Sequence, residues 1–275
     1  MEDIYIYIYD HYADGNIKSV KENGEIKSEY VYNGYGMMIS DITEGKTTTY
    51  GYDEYGNRIN KSSETQTTRY SYDKNNRMLL EETTSGAEKE IISYTYDPNG
   101  NQLYKLKNTE TENIGEPELG IKLIEESDSG VEKYEYNLYN QLTKAVTNGK
   151  ISTYTYDGNG LRQSKTVNGE TSSQIWNGGN VVMETNGSGE SIANYYYGNK
   201  LYGAKTSRKN VYYSYNGHGD TRKLTDTSGA TVADYDYDAF GNQTSATESI
   251  YNPFRYNGQY TDEETGLIYL RNRYY

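Results

Sequence analysis

A pattern of paired aromatic residues and turn-forming residues repeats along this chain. Two tyrosines separated by one residue are followed by Asp or Asn, then by two variable positions, then usually by Gly or Asn. Full copies begin at residues 30, 50, 70, 94, 134, 154, 213 and 235, and weaker copies begin at 7, 174, 195 and 254. Most steps lie between 18 and 24 residues, and the single step of 40 fits two units with one degenerate copy between them. A period of this length predicts a repeat architecture in which each unit packs on its neighbours.

The pattern predicts strands joined by tight turns. Side chains of an extended chain alternate between faces, so both rings of a pair lie on one face. Asp or Asn binds its own backbone two residues on, and Gly supplies a positive φ. Asn23-Gly24, Asn148-Gly149 and Asn168-Gly169 are signals of two-residue hairpins. Each unit is therefore two strands and two turns, and the predicted fold is all-β, with repeated antiparallel hairpins of about 20 residues and no helix.

We expect the residues that recur at the same positions of the repeat to have a structural role. Four well-formed copies supply the two rings, the acid and the glycine: Tyr50, Tyr52, Asp53 and Gly56; Tyr94, Tyr96, Asp97 and Gly100; Tyr154, Tyr156, Asp157 and Gly160; Tyr235, Tyr237, Asp238 and Gly241. The single tryptophan, Trp176, stands at a tyrosine position. This placement favours a core ring that substitutes for tyrosine, and a sugar-stacking platform is the alternative.

Composition alone indicates a different class of protein. The 275 residues have a mean hydropathy of −1.00 and a net charge of −13, values that are typical of disordered chains. The 35 tyrosines argue against disorder, because each can bury its ring and keep its hydroxyl hydrogen-bonded. We therefore expect ladders of rings along a sheet, in one continuous array over residues 1–245.

Residues 108–133 interrupt this regularity. The stretch is rich in acidic residues and contains Pro117. Residues 121–124 could form a strand of the degenerate unit, and the flanks are predicted to be an acidic surface loop.

Several classes of function are disfavoured. The chain has no Cys, which excludes disulfides, and no apolar run of membrane-spanning length. The first ten residues lack the features of a signal peptide, so we expect the array to continue outside this sequence, together with any export signal. The acidic charge disfavours nucleic acid as a partner. His11 and His218 have no suitably spaced companion, so we expect no metal and no cofactor.

The last residues carry a longer motif. It consists of Phe254-Arg255-Tyr256-Asn257-Gly258-Gln259, then Asp262, then Glu264-Thr265-Gly266-Leu267, then Arg273-Tyr274-Tyr275. The repeats resemble the YD repeats of Rhs proteins, wall-associated bacterial repeat proteins, toxin-complex C subunits and teneurins. Residues 246–275 resemble the Rhs repeat-associated core. We name these residues of the chain the closing segment.

The resemblance implies a strip of β-sheet that spirals into a hollow shell. In such families the shell encloses a polypeptide, often a C-terminal toxin of the same chain used in bacterial competition. The core closes the shell and precedes a variable payload, which is not visible in this sequence. The resemblance also implies a secreted or cell-surface bacterial protein.

Some members of these families cut themselves after the core by means of aspartates. Asp262 matches the first such position, although Thr261 stands where cleaving members commonly have Arg. Two carboxylates that share a proton could activate water, and the partner acid would lie beyond Tyr275. The simpler expectation for residues 262–264 is a polar turn before a strand over residues 267–273.

Three hypotheses follow. The first is an encapsulating shell segment of a secreted toxin, whose partner is the enclosed polypeptide. The second is a surface adhesion or carbohydrate-binding module with a cell-surface glycan as partner. The third is a self-cleaving aspartyl core that uses Asp262.

Overall fold

The computed structural model describes residues 6–110 and 130–275. The acidic stretch at 111–129, with the strand expected at 121–124, lies outside the described residues. By internal contacts, the described chain divides into two units, within residues 6–133 and within residues 134–275. Each unit is an antiparallel array in which consecutive strands form hairpins, so the predicted all-β hairpin repeat is confirmed.

The strands of the N-terminal unit are β1 (Tyr7–His11), β2 (Ile17–Glu22), β3 (Glu25–Tyr32), β4 (Met38–Thr43), β5 (Lys46–Tyr52), β6 (Arg58–Ser62), β7 (Thr67–Tyr72), β8 (Met78–Ser85), β9 (Glu88–Tyr96) and β10 (Gln102–Glu110). Strand β11 (Val131–Tyr136) pairs through its first three residues with β10.

The strands of the C-terminal unit continue as β12 (Leu142–Thr147), β13 (Lys150–Tyr156), β14 (Arg162–Val167), β15 (Glu170–Asn177), β16 (Asn180–Asn186), β17 (Ser191–Tyr197), β18 (Leu201–Thr206), β19 (Asn210–Tyr215), β20 (Thr221–Asp226), β21 (Thr231–Tyr237) and β22 (Gln243–Glu248). A short sheet of β23 (Tyr260–Thr261) and β24 (Ile268–Tyr269) follows.

The turn after each tyrosine pair is built by its acid. In the copy at Asp53, one carboxylate oxygen accepts the backbone N–H groups of Tyr55 and Asn57, and the Asn57 amide donates to the other oxygen. Gly56 closes the turn with a φ of +84°, a region that favours glycine. Backbone N–H groups two and four residues on likewise donate to the carboxylates of Asp73, Asp157 and Asp238, and the N–H group of Asn101, four residues on, donates to Asp97. The predicted bond two residues on is confirmed, and a second bond four residues on accompanies it.

The second ring of most pairs ties its unit to the preceding one. Tyr52 Oη donates to the carbonyl oxygen of Met38 at 2.7 Å, across 14 residues of sequence. Rings at the same phase make the equivalent bond: Tyr72 to Arg58, Tyr96 to Met78, Tyr156 to Leu142, Tyr215 to Leu201 and Tyr237 to Thr221. Trp176 does the same through Nε1, which donates to the Arg162 carbonyl oxygen at 2.7 Å. We call these bonds ring staples.

A β-bulge accompanies the second ring in both units. The strand register shifts between Gly51 and Tyr52, and the same shift occurs at Tyr32, Tyr72, Tyr156, Trp176, Tyr197, Tyr215 and Tyr237. A bulge bends its strand and increases the local twist. The sequence pattern did not predict this feature.

The closing segment departs from the repeat. The weak copy at residue 254 is not a hairpin strand: Phe254 forms an isolated bridge with Tyr260, and Tyr256–Gly258 is a 3-10 turn. The strand expected over residues 267–273 is only β24, because Arg271 adopts a φ of +66° and Leu270 N–H donates to the Arg273 carbonyl oxygen. Within the described ranges, the structure has no helix long and apolar enough to cross a membrane.

The ring staples generate a stability prediction. Tyr52→Phe should lower the free energy of unfolding by about 1 kcal/mol, because the Met38 carbonyl loses its donor. Tyr55→Phe is the matched control, since that ring is 73% exposed. Urea unfolding of both variants checks this, and equal midpoints for the two would contradict it.

Candidate functional site: the seat of the closing segment

The closing segment lies against the ring-bearing face of the C-terminal unit. Phe254 packs edge-on against Tyr195 with ring centroids 4.8 Å apart, and Tyr269 packs against Trp176 at 6.1 Å. Further along, the Tyr274 hydroxyl lies 3.0 Å from that of Tyr156. The rings that the repeat places on one face therefore form the surface against which the closing segment packs.

A tight turn places Asp262 at the centre of the contact. Gly266 N–H and Thr265 N–H donate to the Asp262 carbonyl oxygen at 2.7 and 3.2 Å, and Asp262 N–H donates to the carbonyl oxygen of Leu267. Gly266 has a φ of +73°. The turn expected at residues 262–264 is thus present.

Asp262 pairs with two cations of strand β14. Its Oδ2 lies 2.5 Å from Arg162 Nη1, and both side chains are fully buried. Its Oδ1 lies 3.0 Å from Lys165 Nζ, which also lies 3.0 Å from Glu264 Oε2. Thr147 Oγ1 donates to the Glu264 carbonyl oxygen at 2.7 Å. We call Arg162, Lys165, Asp262 and Glu264 the charge cluster.

Aromatic rings enclose the charge cluster. The Arg162 guanidinium lies over the rings of Tyr154, Tyr260 and Tyr269 at 5.4, 4.9 and 4.5 Å. The Tyr269 hydroxyl accepts the Arg162 backbone N–H at 2.8 Å. Cation–π attraction strengthens where water is excluded. The closing segment therefore supplies Arg162 with its counter-ion, Asp262, and with two of its three rings.

The electrostatics favour the charged forms of Asp262, Lys165 and Arg162. Burial alone would raise the pKa of Asp262, but the positive charges of Arg162 and Lys165 outweigh burial and lower that pKa. Burial likewise opposes the charge on Lys165, and the Asp262 and Glu264 carboxylates outweigh it and raise the pKa of Lys165. The pKa of Arg162 is raised on the same balance. Buried ions that are paired in this way are strongly interdependent.

A second buried carboxylate, Glu184 on β16, joins the sheet to the closing segment. It is 1% exposed, and it accepts the hydroxyls of Tyr195 and Tyr260 at 2.5 Å each. Gln174 Nε2 approaches it at 3.5 Å. Burial, followed by the negative charge of Glu184, raises the pKa of both tyrosines, so both remain protonated donors.

The remaining motif residues hold the segment at its other end. Arg255 pairs with Glu248 at 2.7 Å and lies 5.5 Å over the Tyr235 ring. The Tyr256 ring lies directly over Gly241, where a Cβ atom would overlap it. Gly258 has a φ of +60°.

The motif residues also differ in exposure. Gln259 accepts a hydrogen bond from Arg271, and Leu267 packs against the buried cluster around Tyr134. Arg273 and Tyr275 are exposed, with the guanidinium 4.8 Å over the ring. The motif is therefore mainly a packing and anchoring motif.

The self-cleavage role of Asp262 stays a prediction. Both of its carboxylate oxygens are taken by cations, and its nearest ion-paired carboxylate neighbour is Glu264 through the shared Lys165. Within the described residues, no group of three or more His, Cys, Asp or Glu side chains could hold a metal ion.

Sequence reasoning missed the array residues that receive the closing segment. Arg162 follows the turn at Asp157 and takes the phase of Arg58, which lies 4.9 Å over the Tyr70 ring. The sequence did place an arginine at a position of the repeat that faces the rings. Because a buried cation needs a partner, this arginine could have been flagged as one that requires an acid. Lys165 and Glu184 carried no comparable signal.

A protein-family model identifies the family of this chain. The model described as "Teneurin YD-shell" matches residues 15–275. The chain belongs to the teneurin YD-shell family. The resemblance to YD-repeat proteins is thereby confirmed.

Two curated proteins are similar to part of this YD-shell chain. They are the "tRNA3(Ser)-specific nuclease WapA" of Bacillus spizizenii, 39% identical over 152 residues, and the "tRNA nuclease WapA" of Bacillus subtilis, 38% identical over 152 residues. Each match covers 52% of this chain and 6% of the relative. The chain therefore spans a small fraction of these relatives' length.

Solved structures of toxin complexes are also similar. The Photorhabdus luminescens Tc holotoxin pore is 16% identical, with 98% of this chain and 17% of that chain covered and a TM-score of 0.47. The TcdB2–TccC3 crystal structure is 14% identical, with 100% and 20% covered and a TM-score of 0.44.

Breaking the Arg162–Asp262 pair should be costly. We expect Asp262→Asn to lower the free energy of unfolding of the C-terminal unit by about 3–5 kcal/mol, because Arg162 would remain buried without its counter-ion. Glu263→Gln, at an exposed neighbouring carboxylate, is the control. Urea unfolding measures both, and similar midpoints for the two variants would contradict the anchoring role.

The same pair predicts a pH dependence. The pKa of Asp262 in the folded protein lies below its usual 3.8. The contribution of the Asp262 carboxylate to stability is therefore complete above pH 3.8 and is lost as pH falls through the folded pKa. The stability difference between the parent chain and Asp262→Asn should therefore shrink in that acid window. Unfolding midpoints measured from neutral pH downward test this, and a constant difference would argue against it.

The packing of the Tyr256 ring on Gly241 can be tested with a closely matched control. Gly241→Ala must displace the ring as well as strain the backbone, whereas Gly189→Ala has nearly the same φ and open space around the new Cβ. Both should destabilise, and Gly241→Ala should cost about 1–3 kcal/mol more. Thermal unfolding compares the two, and equal losses would show that Tyr256 is not seated there.

Proposed function

We propose that this chain is a wall segment of a YD-repeat shell that encloses a polypeptide, and that the closing segment seals part of that wall. The observation that carries the proposal is the full burial of the Arg162–Asp262 pair beneath the closing segment. A segment that only ended the array would not need to bury two charges against it, since that burial costs free energy unless the geometry is fixed.

The composition of the array supports a container role over a catalytic one. The repeat uses its side chains on its own turns and ring staples. A wall of hydroxyl-bearing rings presents polar and apolar surface together, which suits contact with an extended polypeptide. The finer expectation is a secreted bacterial toxin whose payload is the enclosed chain.

Limited proteolysis of the product of the complete reading frame tests this function. The polypeptide that follows residue 275 should resist protease while the shell is intact, and the same polypeptide expressed alone should be digested. Asp262→Asn should increase its digestion, and Glu263→Gln should not.

Two outcomes would overturn the proposal. One is a downstream polypeptide digested equally fast with and without the shell. The other is a reading frame with no further chain to enclose.

A further inference from the structure

A partly enclosed cavity lies between the C-terminal array and the closing segment. Its volume is about 170 Å³, which is the share of about five or six water molecules in liquid water. Rings from both sides line it, namely Trp176, Tyr197 and Tyr215 from the array and Tyr260 and Tyr269 from the closing segment. The space is large enough for one small ring-shaped group.

Two cations at this cavity have no acidic partner within the described residues. Lys200 is exposed, and its Nζ lies 5.5 Å over the Tyr215 ring. Arg271 donates only to neutral acceptors, the carbonyl oxygen of Gly179 at 2.9 Å and Gln259 Oε1 at 2.6 Å. In a chain of net charge −13, two unpaired cations beside one cavity favour an anionic ligand.

Tyr197 is the exception to the ring staples. From Tyr156 to Tyr237, the other second-position rings of the unit donate to a backbone carbonyl, whereas the Tyr197 hydroxyl has no hydrogen-bond partner among the described residues. Burial raises the pKa of Tyr197 to about 12, although Arg271 opposes the rise. The hydroxyl is therefore a protonated donor that remains available at the cavity.

Amide side chains complete the lining. Asn180, Asn199 and Asn257 border the cavity, and an amide both donates and accepts hydrogen bonds. Rings, amides and cations together match a ligand with an apolar ring face, several hydroxyls and one carboxylate.

We propose that this cavity binds a carboxylated monosaccharide, of the hexuronate class. The C–H face of the sugar would pack on the aromatic lining, the hydroxyls would meet the amides and Tyr197, and the carboxylate would meet Lys200 and Arg271. A single acidic side chain of a peptide would leave the rings and amides without partners, so the sugar acid is the better fit. This inference goes beyond the shell role and does not depend on it.

The single tryptophan provides the readout, because Trp176 lines the cavity. D-Glucuronate titrated into the full chain should change the Trp176 fluorescence saturably. D-Glucose should bind at least about tenfold more weakly, because it cannot form charge-assisted hydrogen bonds. Acetate, which carries charge without a ring, should likewise be weak.

Variants assign the contacts. Lys200→Gln should weaken glucuronate binding about tenfold and leave the fold intact, since the side chain is exposed. Tyr197→Phe should weaken it about threefold to tenfold. Arg208→Gln, which removes an exposed charge away from the lining residues, should leave the affinity within about twofold.

Three results would overturn the inference. Glucuronate and glucose could bind equally or not at all, or Lys200→Gln could behave like Arg208→Gln. The third is an acidic dipeptide that saturates the signal when glucuronate does not, which would assign the cavity to a peptide ligand.

Discussion

A tyrosine ring buried on a sheet must give its hydroxyl a hydrogen-bond partner, and this constraint organises the fold. The chain has 35 tyrosines, and tyrosine rings make up a large share of its buried apolar residues. Second-position rings such as Tyr52 solve the problem with a backbone carbonyl of the preceding unit. First-position rings use side chains instead, as Tyr50 does with Asp41. Each solution joins neighbouring hairpins, so burial and hydrogen bonding stabilise the same contacts.

Hydroxyls of the closing segment are also hydrogen-bonded, and this segment contributes buried ion pairs as well. Its tyrosines reach partners on the array, Tyr260 at Glu184 and Tyr274 at Tyr156. The segment also brings Asp262 to Arg162 and Lys165. An interface assembled from paired hydroxyls and paired ions tolerates little misplacement, because each unpaired member would be buried at a cost. The segment therefore packs on the array face in one specific position.

The sequence predicted the parts of the fold that follow from local chemistry. Ring phase, acid-built turns and two-residue hairpins such as Asn148-Gly149, with both residues at positive φ, are encoded in a few adjacent residues. The staple acceptors and the bulges are set by how one unit meets the next, which the period does not reveal. Asp262 was singled out, but its partner Arg162 lies 100 residues away, and no local pattern links them. The left-handed Arg271 and the 3-10 turn at Tyr256 likewise depend on contacts with the array.

A comparison of two neighbouring rings tests hydroxyl pairing most directly. Tyr215 and Tyr197 hold the same phase in adjacent hairpins and line the same cavity, but only Tyr215 has an acceptor, the Leu201 carbonyl oxygen, among the described residues. Urea unfolding of the C-terminal unit should show a loss of about 1 kcal/mol for Tyr215→Phe and a change within about 0.5 kcal/mol for Tyr197→Phe. Equal losses for the two variants, or no loss for either, would contradict the central role of the hydroxyls.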